Sequence, residues 1–366
     1  MTRRYPSRRN VLQAASLVGV GGLAGTSGRF VASALAQDVW KPDRPIQVFI
    51  QFSAGGGTDT VTRTLLKAME PILDAQINAT NMTGALGSVA TKHVLAQPAD
   101  GYTWLGAGGF LDYPRIQGID DAVSWQDFQF FQSATSLASW ATHPDSQFKS
   151  FQDVIDYAKA NPGKLKVSTD GVGGLWHEAM AIIALKAGFE FTNVPFDGGA
   201  PATLAALQGE VDIAGSGLHE QIQYIQSGQL RHLATFTAEP VQVDENTALE
   251  PITLYVPSAE PNAPFGGMYN IALRRETPTY ILKTIEAATA EAVASEPFQQ
   301  MLKDRFIQAT VVSGEAIDKK AARLETERAA LFATLGQAKK TAEELGLPAP
   351  EDFDTWWPPE GYSPAL

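Results

Sequence analysis

Between Ile46 and Ala200 the chain passes repeatedly from a short apolar run into glycine and on into a helical pattern. In the first instance residues 46–52 read as a strand and Ser53-Ala54-Gly55-Gly56-Gly57-Thr58-Asp59 as a turn. A helix from near Thr60 then carries Val61, Leu65, Met69 and Leu73 on one face. Further glycine turns fall at 81–88, 106–110, 168–174 and 196–200. A chain of this kind buries its apolar faces as an α/β layered fold with mostly parallel strands. Ligands in such sheets bind beyond the carboxyl ends of the strands, where these turns lie. Glycine lets backbone N–H groups crowd there, and a helix N-terminus adds its positive dipole, so the turns together suggest one backbone-lined pocket for a small anion. The first turn has neither the Gly-Lys-Ser/Thr of a P-loop nor GxGxxG, which argues against nucleotides.

Residues 1–36 read as an address rather than as structure. Ser7-Arg8-Arg9-Asn10-Val11-Leu12 has the twin-arginine pattern, a Gly/Ala-rich apolar stretch follows over 11–23, and Ala34-Leu35-Ala36 fits signal cleavage before Gln37. The expected location is therefore the periplasm, reached by the twin-arginine pathway. Beyond this segment no run reaches the roughly 18 apolar residues of a membrane span, so stable membrane insertion is not expected. The signal holds five of the 28 basic residues and no acids, which leaves 23 against 40, a net charge of −17. So acidic a surface argues against nucleic acid and anionic membranes, but not against an anion held locally by N–H groups. With no cysteine the chain has no disulfide, no thiol chemistry and no Cys-bound metal.

The mature chain alternates strand and helix as far as Leu230. Ser150, with Asp153 three residues on, caps a helix that ends at Asn161-Pro162-Gly163; a second carries Leu175, Ala179, Ile182 and Ile183 and stops at Gly188; strands are expected at 102–105, 164–168, 191–196 and 211–214. Residues 241–264 read as loop, helical periodicity resumes at Thr277-Pro278, and a last long helix is expected over 315–345. The tail with Trp356-Trp357-Pro358-Pro359 is expected to pack on a domain surface. The five histidines form no HExxH or other close ligand pair, and Gly215-Ser216-Gly217 lacks the GxSxG elbow. No metal, cofactor or catalytic group is indicated.

Three stretches in order, PIQVFIQFSAGGGTDTVTRTL, NMTGALGS and AQPADGYTWLGAG, resemble the start of the substrate-binding proteins of tripartite tricarboxylate transporters, the Bug-type receptors. The likeness continues through ATHPDSQFKSFQDVIDYAKANPGKLKVSTDGVGGLWHEA, NVPFDGGAPATLAALQGEVDIA and GQLRHLATF, and is strong over residues 40–237. It implies a periplasmic-binding-protein type II fold, two α/β lobes with a ligand cleft between them: 38–141 and 236–366 in the first, 142–235 in the second. It also implies a receptor that hands a small carboxylate to the membrane subunits of such a transporter; a monomer is expected. On this resemblance Phe52, Ala54, Gly56, Thr58 and Asp59 form the first-lobe cradle, with Gly109 and Phe110 near it. Thr169, Asp170, Gly171, Gly173 and His177 face them from the second lobe, with Phe196, Asp197 and Ser216; core packing is the alternative role of each aromatic. The chain departs from the family at Met82-Thr83, where Arg-Pro is usual, at the acids Asp170 and Asp197, and at 268–274, which replaces a Trp-Gly-x-x-Ala-Pro segment. Two added acids and a lost arginine make a tricarboxylate harder to accommodate than an amphoteric, singly charged or aromatic acid. The other readings are an exported hydrolase using His177 and a carboxylate, and a sensory receptor on the same fold.

Overall fold

The apolar runs and glycine turns become two large sheets wrapped in helices, with a small antiparallel pair of strands besides. The computed structural model describes residues 39–366, so the expected signal over 1–36 lies outside the described residues. In chain order come β1 (Ile46–Ile50), α1 (Gly57–Leu73), β2 (Ile77–Asn81), α2 (Ser88–Leu95), β3 (Thr103–Gly108), α3 (Asp112–Ile116), α4 (Ser124–Asp127) and β4 (Phe128–Thr135). Next are β5 (Ala138–Thr142), α5 (Phe151–Ala160), β6 (Lys166–Thr169), α6 (Leu175–Ala187), β7 (Thr192–Pro195), α7 (Gly199–Leu207), β8 (Ile213–Gly217), α8 (Leu218–Gln226) and β9 (Arg231–Thr235). The chain continues through β10 (Val241–Gln242), β11 (Ala248–Leu249), β12 (Met268–Arg274), α9 (Thr279–Ala294), α10 (Glu296–Arg305), β13 (Gln308–Val312), α11 (Gly314–Thr334) and α12 (Phe353–Trp356).

The first sheet has the order β13-β4-β12-β3-β1-β2 and the second β7-β6-β8-β5-β9. Strands joined by a crossover helix are parallel, as in β1 with β2 and β3 and β6 with β7 and β8. The expectation of mostly parallel strands fails elsewhere: β12 runs antiparallel to β3 and β4, β13 to β4, and β5 to β8 and β9. β4, β5 and β12 are buried along almost their whole length and carry no polar alternation to mark them. For the same reason the boundary read at 141/142 moves: β5 belongs to the second sheet, and the first crossing lies between Thr135 and Ala138.

Two helix ends also differ from the sequence reading. α1 starts at Gly57, not near Thr60, because Asp59 in its first turn accepts the Gly55 N–H (3.0 Å) and so holds the turn against the helix. α11 stops at Thr334, where Gln337 and Ala338 N–H groups bond back to the Phe332 carbonyl around a left-handed Gly336. The capping box of Ser150 and Asp153 and the left-handed stop at Gly188 form where expected. The tail packs down as expected: Trp356 and Trp357 stand edge-on to Trp125, and Tyr362 donates to Asp318 (2.9 Å). Among the described residues no helix is long and apolar enough to cross a membrane.

The two crossings between the sheets lie side by side. Ser136 N–H donates to the Gly267 carbonyl (2.8 Å), Ala138 to Phe265 (2.8 Å), Phe265 to Phe236 (3.0 Å) and Phe236 to Ala138 (2.9 Å). A side chain on Gly266 would drive into the Ser136 carbonyl, so the strands meet this closely only with glycine there. Away from the crossings a buried ionic cluster ties the first sheet's helices to the second's. Arg328 of α11 bonds Asp112 of α3 (2.7 Å) and Glu178 of α6 (3.1 Å), Tyr113 donates to Glu178, and all four are buried.

Candidate functional site

The carboxyl ends of β1 and β3 point at those of β6 and β8, and helices α1, α6, α7 and α8 all start in the gap between them. A small cavity occupies this gap. The first sheet's side contributes Phe52, Ser53, Gly56, Gly57, Thr58 and Tyr269, and the second's side Asp170, Trp176, Gly199 and Glu220. Its volume is about 30 Å³, room for one or two waters, so the two halves approach closely here and part to admit anything larger.

Contacts across the gap are polar and short. Glu220 Oε1 accepts the Gly57 N–H (3.1 Å) at the start of α1, while Oε2 accepts Gly217 N–H (2.9 Å) at the start of its own helix. Tyr269 Oη meets His219 Nε2 (2.9 Å) and Ser136 Oγ (2.9 Å), and Ser53 N–H donates to the Asp197 carbonyl (3.2 Å). A methyl group on Gly57 would strike both His219 Nε2 and Tyr269 Oη. Gly57→Ala is therefore expected to hold the halves apart and weaken ligand binding by about tenfold or more without unfolding the chain. Calorimetric titration measures it, and an affinity equal to the parent's would show that this closure is not used in binding.

Burial dominates the electrostatics. It pushes Glu220 up to about 7 against the pull of the Gly217 and Gly57 N–H groups, and nearby Asp170 adds to the rise. Asp170, which accepts the Leu175 (3.1 Å) and Trp176 (2.9 Å) N–H groups at the head of α6, is raised to about 6, again by burial. Desolvation holds His177 down at about 4 and His219 at about 3, so both are neutral near neutral pH. Among the described residues no lysine, arginine or histidine lines the cavity.

Of the residues expected from sequence, Phe52, Gly56, Thr58 and Asp170 line the cavity. Asp59 lies behind it, where it bonds Arg63 (2.7 Å), Asn81 (2.8 Å) and Gly55 and so shapes the loop. Ala54 and Asp197 are exposed. Gly109 gives its carbonyl to Asn270 (2.7 Å), and Phe110 packs edge-on to Phe130 in the core. Thr169 donates within the second sheet to Asn193 (2.6 Å), and Gly171 lies against Leu86. His177 Nδ1 accepts Gly173 N–H (2.8 Å). Phe196 packs with the small cluster around Ala205 and Val211, and Ser216 bonds Thr203 and Gln221 inside the second sheet's layer. Trp176, Glu220 and Tyr269 were not anticipated. Glu220 had a signal, Gly217 followed three residues later by Glu, which is a helix-start pattern. Tyr269 falls in the 268–274 segment that departs from the family.

The sequence model of the tripartite tricarboxylate transporter family receptor matches residues 61–332, and the chain belongs to this family. A UPF0065 protein encoded in the tcbD-tcbE intergenic region of Pseudomonas sp. is 27% identical over 274 residues, 73% of this chain and 79% of that protein. Among solved structures, the periplasmic binding protein BugD superposes with a TM-score of 0.75 at 22% identity, covering 82% of this chain and all of its own. MatC from Rhodopseudomonas palustris with bound malate gives 0.68 at 20% identity, covering 80% of this chain and 98% of that one. These likenesses show a two-lobed periplasmic-binding fold.

Proposed function

We propose that this member of the receptor family captures a small organic carboxylate between its two lobes in the periplasm and delivers it to the membrane subunits of a tripartite tricarboxylate-type transporter. The observation that carries this reading is the convergence of four helix N-termini on one narrow cavity at the carboxyl ends of the strands. A ligand that contacts both halves stabilises the closed form because it contacts both only there. A micromolar affinity corresponds to about −8 kcal/mol, within reach of a few charge-assisted N–H bonds in a water-poor cleft. The reading includes export by the twin-arginine signal, a monomeric receptor, and no chemistry on the ligand. His177, the base a hydrolase would need, is spent on the Gly173 N–H and is not among the residues lining the cavity.

Thermal stabilisation of the mature protein against aliphatic, amino and aromatic carboxylates tests this. Selective stabilisation by one class without turnover supports it, and turnover of any of them would move the protein to the hydrolases. Thr58→Ala, which removes a lining hydroxyl, is expected to lower affinity by about threefold to tenfold with the melting point nearly unchanged.

A further inference from the structure

The start of α1, where the family resemblance places the cradle for the ligand's anion, is occupied by the protein's own carboxylate. Glu220 reaches across from α8 to the Gly57 N–H, and a side chain on Gly199 would collide with its Oε2, so the carboxylate also abuts the head of α7. Asp170 fills the head of α6 in the same way. Both acids line one cavity into which no basic side chain of the described residues projects. Arg305 is the arginine whose charge bears on Glu220, and its guanidinium donates to the His219 carbonyl (3.2 Å) and does not line the cavity. The same cavity holds the Ser53 hydroxyl, buried and without a hydrogen-bond partner among the described residues.

Near pH 8, above the about 7 of Glu220 and the about 6 of Asp170, a dicarboxylate entering here would bring two negative charges to two already present in a desolvated space, with no cation among the described residues that line it. A ligand with its own cation removes that conflict. We propose that Glu220 sets the ligand class of this receptor: the cleft takes a small zwitterion, a monocarboxylate bearing a protonated amine, whose ammonium lies between Glu220 and Asp170. Its carboxylate is left the Ser53 and Thr58 hydroxyls and the head of α7. This rests on the receptor reading and narrows it from carboxylates in general to one charge type.

The test is isothermal titration of the mature protein near pH 8 with matched pairs, alanine against propanoate and γ-aminobutyrate against butyrate, together with malate and adipate. In the parent protein at least one amine-bearing acid is expected to bind about tenfold or more tightly than its amine-free partner and than either dicarboxylate. In Glu220→Gln that ratio falls toward one, which a purely structural role of Glu220 would not produce. Malate or adipate binding more tightly than both amino acids in the parent protein would overturn the proposal and leave the receptor reading standing. Binding of none of the six would overturn the proposal, and the aromatic acids of the stabilisation panel then decide the receptor reading. The comparison within the parent protein decides the matter even where the variant fails to fold.

Discussion

Arg328→Met lowers the unfolding free energy by about 3–5 kcal/mol, the largest loss expected from any single change away from the cleft. The arginine is buried between Asp112 and Glu178, stacked over Tyr113 with its Cζ 4.5 Å from the ring centroid. Two acids on different helices depend on it, and Asp112 Oδ1 already lacks a partner among the described residues. Removing the cation leaves uncompensated charge in an apolar layer; the gain in apolar contact from methionine does not offset this. In a chain of this size the loss corresponds to a drop of roughly 4–7 °C in melting temperature. Arg328→Lys is expected to recover only part of it, since a point charge cannot reach both acids as the planar fork does. Denaturant unfolding of the mature protein measures both. A loss below about 1 kcal/mol for the methionine variant would mean that the cluster is solvated and contributes little.

The second large effect is a change of pH dependence at Glu220. Burial raises this carboxyl from its ordinary 4.5 to about 7, so the folded chain binds its proton more tightly than the unfolded chain does. The associated stability is full below about pH 4.5 and is lost as the pH rises through about 7. Glu220→Gln abolishes the titration while keeping the shape. The stability of the parent protein relative to this variant is therefore expected to fall by about 3 kcal/mol between pH 4 and pH 8. The groups facing Glu220 are Asp170, His219, Tyr269 and Arg305. Asp170 has the same sign, raised to about 6. His219, held at about 3, acts in the opposite sense, since its stability is present above the ordinary 6.5 and is lost as the pH falls. These terms are common to both proteins and largely cancel in the difference. Unfolding curves at a series of pH values give the comparison, and parallel profiles would show that Glu220 keeps an ordinary pKa.

What the sequence made legible is what local chemistry encodes. Ser150 with Asp153, Gly188 after a helix, and the glycine turn from Ser53 to Asp59 each leave a mark a few residues long, and each formed within a turn of its expected place. β12 was invisible because Met268–Arg274 is buried almost throughout and follows a proline-rich stretch. The cleft was legible from one side. Its glycines and Thr58 sit in the turns that announced them, but Tyr269 and Glu220 arrive from strand and helix positions whose only local reading is core or cap. Their meeting, 2.9 Å between Tyr269 and His219 and 3.1 Å between Glu220 and Gly57, depends on two sheets closing together, and no short stretch of sequence encodes that.

The paired crossings at Ser136 and Gly266 have a mechanical consequence. Two strands hydrogen-bonded side by side behave as a ribbon, compliant to bending across its width and stiff to sliding along its length. Sliding would break the Ser136–Gly267 and Ala138–Phe265 bonds together, whereas bending leaves both intact. Motion of the lobes is thus expected to follow chiefly one angular coordinate, bending about this ribbon. The distances from Gly57 to Glu220 and from Tyr269 to His219 lengthen in step, and a single label pair across the gap reports the state of the whole molecule.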